Sequence, residues 1–491
     1  MPDDDPSDEP DDPLATPPAD ADQPVHLLWQ VAHVLRELHQ PRADGRCVTC
    51  GQQPYPAKSS DVASPGRRFV RQNSFSQYRA ASADWHGTCP MRVVAGQGGC
   101  GMAAGQDARW LAVGSSTDAD SRRAGQRAAA EALRGEDAKL LVVFCSQRHE
   151  LPALLTGVGE ASGGVPLIGC STAGELATGG AEGHHVVVTA FGGPGFQAAT
   201  ATATGVSSGQ RAAGAAIAGC VEQLGQTAHR VLLVLTDGHV GHQEEVVRGA
   251  YSVLGASVPL VGGCAGDDAQ AGRTSQLYGT SVLTDAVVAA AIGSDAPFGI
   301  GVRHGWRKVG TPMIVTRSED SRIITLDDEP ALDVYLRLLD APAEAHHDPA
   351  AFSRFAQTHP ITLSRRGGEE MRCIAGADNA ERSLVSVAAV PQGGLVWLTE
   401  GDADSVLDAT DSACTDALAP LGDRPALGLL AFDCIGRRGI LGDIGADREA
   451  RRVAKHADGA PYAGFYTYGE IARVRGMNGF HQQTLVVLAV S

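Results

Sequence analysis

Aromatic residues are scarce, only 5% of the 491 positions, and 40 Lys and Arg against 57 Asp and Glu leave a net charge of −17. So large a deficit of positive charge argues against a nucleic-acid surface, which needs a basic face. Long apolar runs are missing as well. The most apolar window, Val282 to Ile292, is broken by Asp285 and is too short to span a bilayer, so no membrane insertion is expected. The chain does not open on a basic flank followed by an apolar stretch, the pattern of a secretory signal. Its 11 cysteines are scattered and odd in number, as reduced thiols of a cytoplasmic protein would be. Kinase, cyclase and DNA-binding signatures are absent, so any signalling output must pass through a separate partner.

What the chain does contain is a repeat. Pro461-Tyr-Ala-Gly464-Phe-Tyr-Thr467-Tyr-Gly469-Glu470 is matched in register by Pro166-Leu-Ile-Gly169-Cys-Ser-Thr172-Ala-Gly174-Glu175. A looser copy, Pro259-Leu-Val-Gly262-Gly-Cys-Ala-Gly266-Asp267-Asp268, is one residue shorter and has no Thr. Each copy follows an apolar run (Leu140–Phe144, Val231–Leu235, Leu427–Phe432) and a helix-length segment. Self-similarity of this kind dictates architecture. Unalternating apolar runs suit strands buried on both faces, and roughly 25 intervening residues suffice for the crossover helix that parallel neighbours require. Each copy therefore predicts strand, helix and strand, with Pro opening the second strand, Gly closing it, and a carboxylate just past its carboxyl end, where open α/β sheets bind ligands.

The rest of the chain frames these units. Residues Met1 to Asp22 hold nine acids and no base among many prolines, a composition that cannot offset its ordering entropy. Val25 to Leu38 reads as a short helix ended by Pro41, and the Ser-, Pro- and Gly-rich stretch after it as a linker. Globular sequence starts at Trp110. The expected class is α/β (α+β): a mostly disordered tail over 1–105, then domains over 106–345 and 346–491 built from the repeated units. The nearly all-aliphatic end, Thr484 to Val490, predicts a strand inside a sheet.

Gly464-Phe-Tyr-Thr-Tyr-Gly-Glu470 with Phe480-His-Gln-Gln-Thr-Leu-Val-Val-Leu488 closely resembles the C-terminal FIST domain (F-box and intracellular signal transduction). Ile168-Gly-Cys-Ser-Thr-Ala-Gly-Glu175, Gly262-Gly-Cys-Ala-Gly-Asp-Asp268 and His304-Gly-Trp306, with Leu326 and Pro330-Ala-Leu332, resemble the N-terminal FIST domain. The resemblance runs from about Trp110 to Ser491 and leaves the first hundred residues outside it. It implies a sensory module that binds a small ligand such as an amino acid. It also admits a bacterial variant that binds haem and senses nitric oxide with a partner histidine kinase. The F-box of eukaryotic members is not present.

The candidate chemistry follows from these positions. Glu175, Asp267, Asp268 and Glu470, with Thr172 and Thr467, offer acceptors for an ammonium or hydroxyl. Arg437 and Arg438 offer a guanidinium for a carboxylate. The combination suits a zwitterion, set against internal salt bridging among the same groups. Symmetry of the repeat places Glu175 and Glu470 at a cleft between the domains, as exposed turn carboxylates. His481 and His304 are the haem-ligand candidates, and His239 and His242 follow the Asp237-Gly238 turn; an axial ligand must face an apolar pocket. Cys47-Val-Thr-Cys50 has zinc-knuckle spacing, with His39, His86, Cys89 and Cys100 as possible completions at irregular separations. Cys170 and Cys264 occupy related places in two repeats, but no His or acid has a spacing that marks its base. The Gly-rich turns of the repeats lack both the Lys-Ser/Thr of a phosphate loop and GxGxxG. An enzyme using the same acids as general acid and base is the competing class.

Overall fold

The computed structural model describes residues 109–178, 186–267, 272–365, 368–473 and 479–491. The acidic tail, Cys47, Cys50 and Asp268 lie outside the described residues.

Each repeat folds as the apolar runs dictate. In the first, β1 (Trp110–Ser116) leads to α1 (Ser121–Ala132), β2 (Ala138–Ser146), α2 (Leu151–Ser162) and β3 (Leu167–Thr172). A three-residue strand, β4 (Glu175–Ala177), and then β5 (Val186–Gly192) follow. The second runs β6 (Phe196–Thr204), α3 (Val206–Ala218), β7 (His229–Thr236), α4 (Gln243–Leu254), β8 (Leu260–Cys264), β9 (Gln276–Tyr278), β10 (Ser281–Leu283) and β11 (Ala286–Ser294). The third begins with β12 (Phe298–Arg303) and is then interrupted. The interruption holds β13 (Arg307–Glu319), β14 (Arg322–Leu326), β15 (Glu329–Pro330), α5 (Ala331–Leu338) and α6 (Pro349–Gln357). It continues through β16 (Ile361–Arg365), β17 (Gly368–Arg372), β18 (Ile374–Asp378), β19 (Ser383–Ser386) and β20 (Leu395–Glu400). The third unit resumes with α7 (Ala403–Leu418), β21 (Gly428–Cys434), α8 (Ile435–Ala457), β22 (Tyr462–Thr467), β23 (Glu470–Arg473), β24 (Phe480–His481) and β25 (Leu485–Val490).

The predicted parallel pairs are present: β2 with β3, β7 with β8, β21 with β22. In all three, the glycine of the repeat sits where a Cβ would overlap the carbonyl of the facing residue: Gly169 on Val143, Gly262 on Val234, Gly464 on Ala431. That shared close approach is why the glycine recurs. The sheets read β1-β5-β2-β3-β9-β10, β6-β11-β7-β8-β23-β24 and β12-β25-β21-β22-β4. The first four strands of each come from its own unit, and the rest are borrowed.

The borrowing is cyclic. The strand after the first unit's turn, β4, pairs antiparallel with β22 of the third. β23 of the third pairs with β8 of the second, and β9 of the second with β3 of the first. Each exposed row of backbone groups on the glycine strand is thus covered by its neighbour, which removes the edge. β25 lies inside its sheet, between β12 and β21, as expected of an aliphatic strand.

Alternation along the strands divides the core. Leu140, Val142 and Phe144 join Leu233, Leu235, Leu430 and Phe432 in one central cluster, whereas Leu141 and Val143 pack beneath α1 and α2. Phe144 touches Phe465 at 4.7 Å and Phe432 at 6.2 Å between ring centroids, joining the first unit to the third. The inserted segment has its own core around Tyr335, Phe352 and Leu363, beside a sheet ordered β17-β16-β20-β13-β14-β19-β18. Trp306, Met371 and Leu407 seal it to the third unit. Among the described residues no helix is long and apolar enough to cross a membrane.

Candidate functional site

The repeated turns are architecture first. Thr172 Oγ1 donates to Glu175, and Thr467 Oγ1 donates to Glu470 Oε1 at 2.5 Å. The second oxygen of Glu470 accepts from the backbone N–H and hydroxyl of Thr484, at 3.0 and 2.9 Å. Glu175 and Glu470 are buried. The expectation of exposed turn carboxylates is therefore corrected: the strand each opens is inserted into another unit's sheet, so burial follows from the exchange. Burial pushes the Glu470 carboxyl up to about 7, against its hydroxyl and amide donors, which lower it.

The second unit differs. Ala265 stands where the other copies have Thr, and Asp267 is served from outside its own turn. Tyr468 of the third unit donates to Asp267 Oδ1 at 2.5 Å, and His239 Nε2 lies 3.0 Å from Oδ2. The His239 ring meets Tyr468 edge-on, centroids 5.6 Å apart.

Arg437 does not reach a ligand. It is wholly buried, 2.6 Å from both Asp433 and Glu449, and donates also to Thr410 and to the carbonyls of Val406 and His304. Burial, with Glu449 beside it, holds the Asp433 carboxyl well above the usual range. Arg438 is paired with Asp443 and lies 5.7 Å from the centroid of Tyr466. His481 gives its Nε2 to the carbonyl of Ala472 at 2.9 Å, and burial lowers its pKa. His304 Nδ1 accepts from the Trp306 amide at 2.9 Å, and burial lowers its pKa to about 4. Each ring has one nitrogen already engaged. No group of three or more His, Cys, Asp or Glu among the described residues is placed to hold a metal ion. The seven described cysteines are free, and burial drives the Cys170 and Cys264 thiols far above the range in which a thiolate forms.

The open space lies elsewhere. A cavity of about 370 Å³ separates the start of α4 (Glu244, Arg248) from the inserted segment (Asp320, Arg365, Glu370, Arg372). A lobe of about 30 Å³ adjoins it and shares Glu244, Ala389 and Phe480; Tyr468 and Gln482 also line it. Glu370 is buried and ties two arginines, accepting from Arg365 Nε at 3.2 Å and Arg372 Nη2 at 3.0 Å. Arg372 also donates to the carbonyls of Ala389 and Met371, at 3.2 and 2.9 Å. Among the described residues the terminal nitrogens of Arg365 have no partner. Across the cavity from these arginines stands Glu244, in the first turn of α4, while Asp320, at the β13–β14 turn, lines it from the inserted segment. Both sides thus carry both signs, with Arg248 near Glu244 on α4 and Glu370 between Arg365 and Arg372 on the inserted segment.

Thr172, Glu175, Thr467 and Glu470 do not line these two cavities, and Asp267 meets them only through Tyr468. Sequence reading missed Glu244, Arg365, Glu370 and Arg372, which look like ordinary surface charges of a helix start and a hairpin. A usable signal existed for Tyr468: the copy lacking Thr leaves its acid in need of a partner.

Two family patterns match in succession, the FIST N domain over residues 139–329 and the FIST C domain over 331–473. An uncharacterized protein of Mycobacterium tuberculosis is 28% identical over 380 residues, covering 76% of this chain and 97% of that one. An uncharacterized protein of Mycobacterium bovis is 27% identical over 387 residues, covering 76% and 96%. Among solved structures, a cyanuric acid hydrolase from A. caulinodans aligns with TM-score 0.23 and 13% identity over 38% of this chain and 71% of that one, too weak a likeness to carry an argument.

Proposed function

Because the chain belongs to the FIST family, whose domains are in general signal-transduction sensor modules, we propose that it senses a small zwitterionic metabolite, such as an amino acid, in the cavity between α4 and the inserted segment. The observation that carries this reading is the presence of both charges in one lining: Arg365 and Arg372, held by Glu370, with Glu244 on α4 and Asp320 on the inserted segment. A guanidinium with unengaged terminal N–H groups takes a carboxylate bidentately, and an acid of the same lining, Glu244 or Asp320, takes the ammonium. Small-ligand sites often lie between substructures with a few convergent polar groups that fix orientation. Output passes to a separate signalling protein, in the cytoplasm, where a reducing environment keeps thiols free. Thr172, Glu175, Thr467 and Glu470 build the scaffold, and Asp267 stands behind the site through Tyr468.

Calorimetric titration with glycine, L-alanine and L-glutamine, beside the one-charge analogues ethylamine and propionate, tests the reading. Binding is expected only when both charges are present, and Arg365→Ala should weaken it about tenfold or more. Absence of binding by every zwitterion, or an Arg365→Ala variant of unchanged affinity, overturns it.

A further inference from the structure

Among the side chains that line the small lobe beside the main cavity, Gln482 leaves one buried polar atom unserved. Gln482 is buried, and its Oε1 accepts from the backbone N–H of Cys373 at 3.1 Å. An amide N–H can only donate, so this contact fixes the orientation of the carboxamide and turns its NH2 the other way. That Nε2 is buried without a partner. Of the other lobe-lining groups, Tyr468 commits its hydroxyl to Asp267 and Gln243 donates its Nε2 to the Gly238 carbonyl; His242, Glu244, Asp320 and Ser321 are polar, and Val240, Val387 and Phe480 are apolar. A buried donor left unmade costs free energy, and natural proteins carry few of them without a reason. A lobe of about 30 Å³ admits a group the size of a carbonyl or one to two waters.

Building on the zwitterion reading above, we propose that Gln482 is the specificity-determining residue of the site and selects ligands whose side chain carries a carbonyl oxygen, as an amide or a carboxylate. With the backbone charges of the ligand held in the main cavity, the side chain enters the lobe and accepts from Gln482 Nε2. Because Gln482 Nε2 is a buried donor without a partner, it favours an acceptor over an apolar end of equal size. The His-Gln-Gln-Thr run of the chain terminus gains a division of labour. His481 and Thr484 fasten β23, and Gln482 faces the ligand space from a point anchored to the inserted segment through Cys373.

The test is calorimetric titration of the full chain with glycine, L-leucine, L-asparagine, L-glutamine and L-glutamate. Wild type should bind at least one carbonyl-bearing amino acid about five- to tenfold more tightly than L-leucine, the size of one buried neutral hydrogen bond. Gln482→Glu keeps an oxygen for the Cys373 amide but exchanges the donor for an acceptor. It should lose the preference for the carbonyl-bearing ligands over L-leucine, with its folding checked by its thermal transition. Gln482→Met supplies an apolar control that should bind L-leucine at least as well as L-glutamine. Comparing L-glutamine with L-glutamate separates the two sources of the carbonyl. If glycine and the other zwitterions bind but L-leucine equals L-glutamine in wild type, or if Gln482→Glu keeps the preference, the role of Gln482 is overturned and the zwitterion reading stands. If none of the five binds, both fall together.

Discussion

Glu470 is the residue whose behaviour departs furthest from its look in the sequence. A turn glutamate should be wet and ionised; this one is buried, with its carboxyl raised from 4.5 to about 7. Between those values the native state holds a proton that the unfolded chain has released. Its contribution to stability is full below about pH 4.5 and is lost as pH rises through about 7, a difference on the order of 3 kcal/mol. Glu470→Gln mimics the protonated form and should flatten this dependence. Denaturant midpoints of wild type and variant, taken from pH 5 to 8, should therefore converge at the acid end and separate towards the alkaline end in the variant's favour. Parallel curves would mean that the carboxylate is ionised throughout. Arg437 makes the opposite case. It is the counter-charge of two buried acids, and Arg437→Met strands the charge that remains on them. The expected loss is about 3–5 kcal/mol in urea unfolding; a loss below about 1 kcal/mol would show the acids to be neutral without it.

At the scale of elements, the apolar runs and helix-length spacers were enough to place three strand–helix–strand units. They could not show where the strand after each turn goes. β4 has three residues and β23 four, and neither has a pattern of its own that names a partner. Pairing was decided by which open edge stood nearest once the units had packed. The glycine that closes each unit was legible, and its reason is now specific. Gly464→Ala would drive a methyl into the Ala431 carbonyl, and should cost about 3 kcal/mol or more, or prevent folding. Gly219, with ordinary helical φ of −60° and open space around its Cβ position, is the control. Gly219→Ala should be neutral or stabilising by about 0.5–1 kcal/mol. Thermal melts of the two variants decide the point, and equal effects would discard the close-approach explanation. The inserted sheet was harder to read: charge-rich hairpins such as β16–β17 follow no repeat, so their walling of a cavity gave no signal.

For the molecule as a whole, exchange of strands makes the units interdependent. β8 is left with an open edge on the side away from β7 unless β23 is present, and β4 has nothing to pair with unless β22 is present. A fragment ending near residue 345 should therefore lack cooperative unfolding and show poor dispersion of its amide resonances. A sharp thermal transition in that fragment would mean that the N-terminal part closes on itself and that the exchanged strands are an accessory.

The sequence by itself determined the class, the three units and their order, the glycine at each close approach, and the aliphatic strand buried at the chain end. These are local properties: periodicity, run length and residue size act within one or two elements, so a single chain read in order displays them. Tertiary structure alone decided which carboxylates are buried and which face open space. Glu175 and Glu470 carry the same motif as a surface turn and differ from one only because a strand from each unit is laid into another. The cavity is decided at the same level. Its walls come from α4, the inserted hairpins and the segment around Phe480 to Gln482, more than two hundred positions apart along the chain. A cavity is made by the distance between elements, and that distance is set by packing.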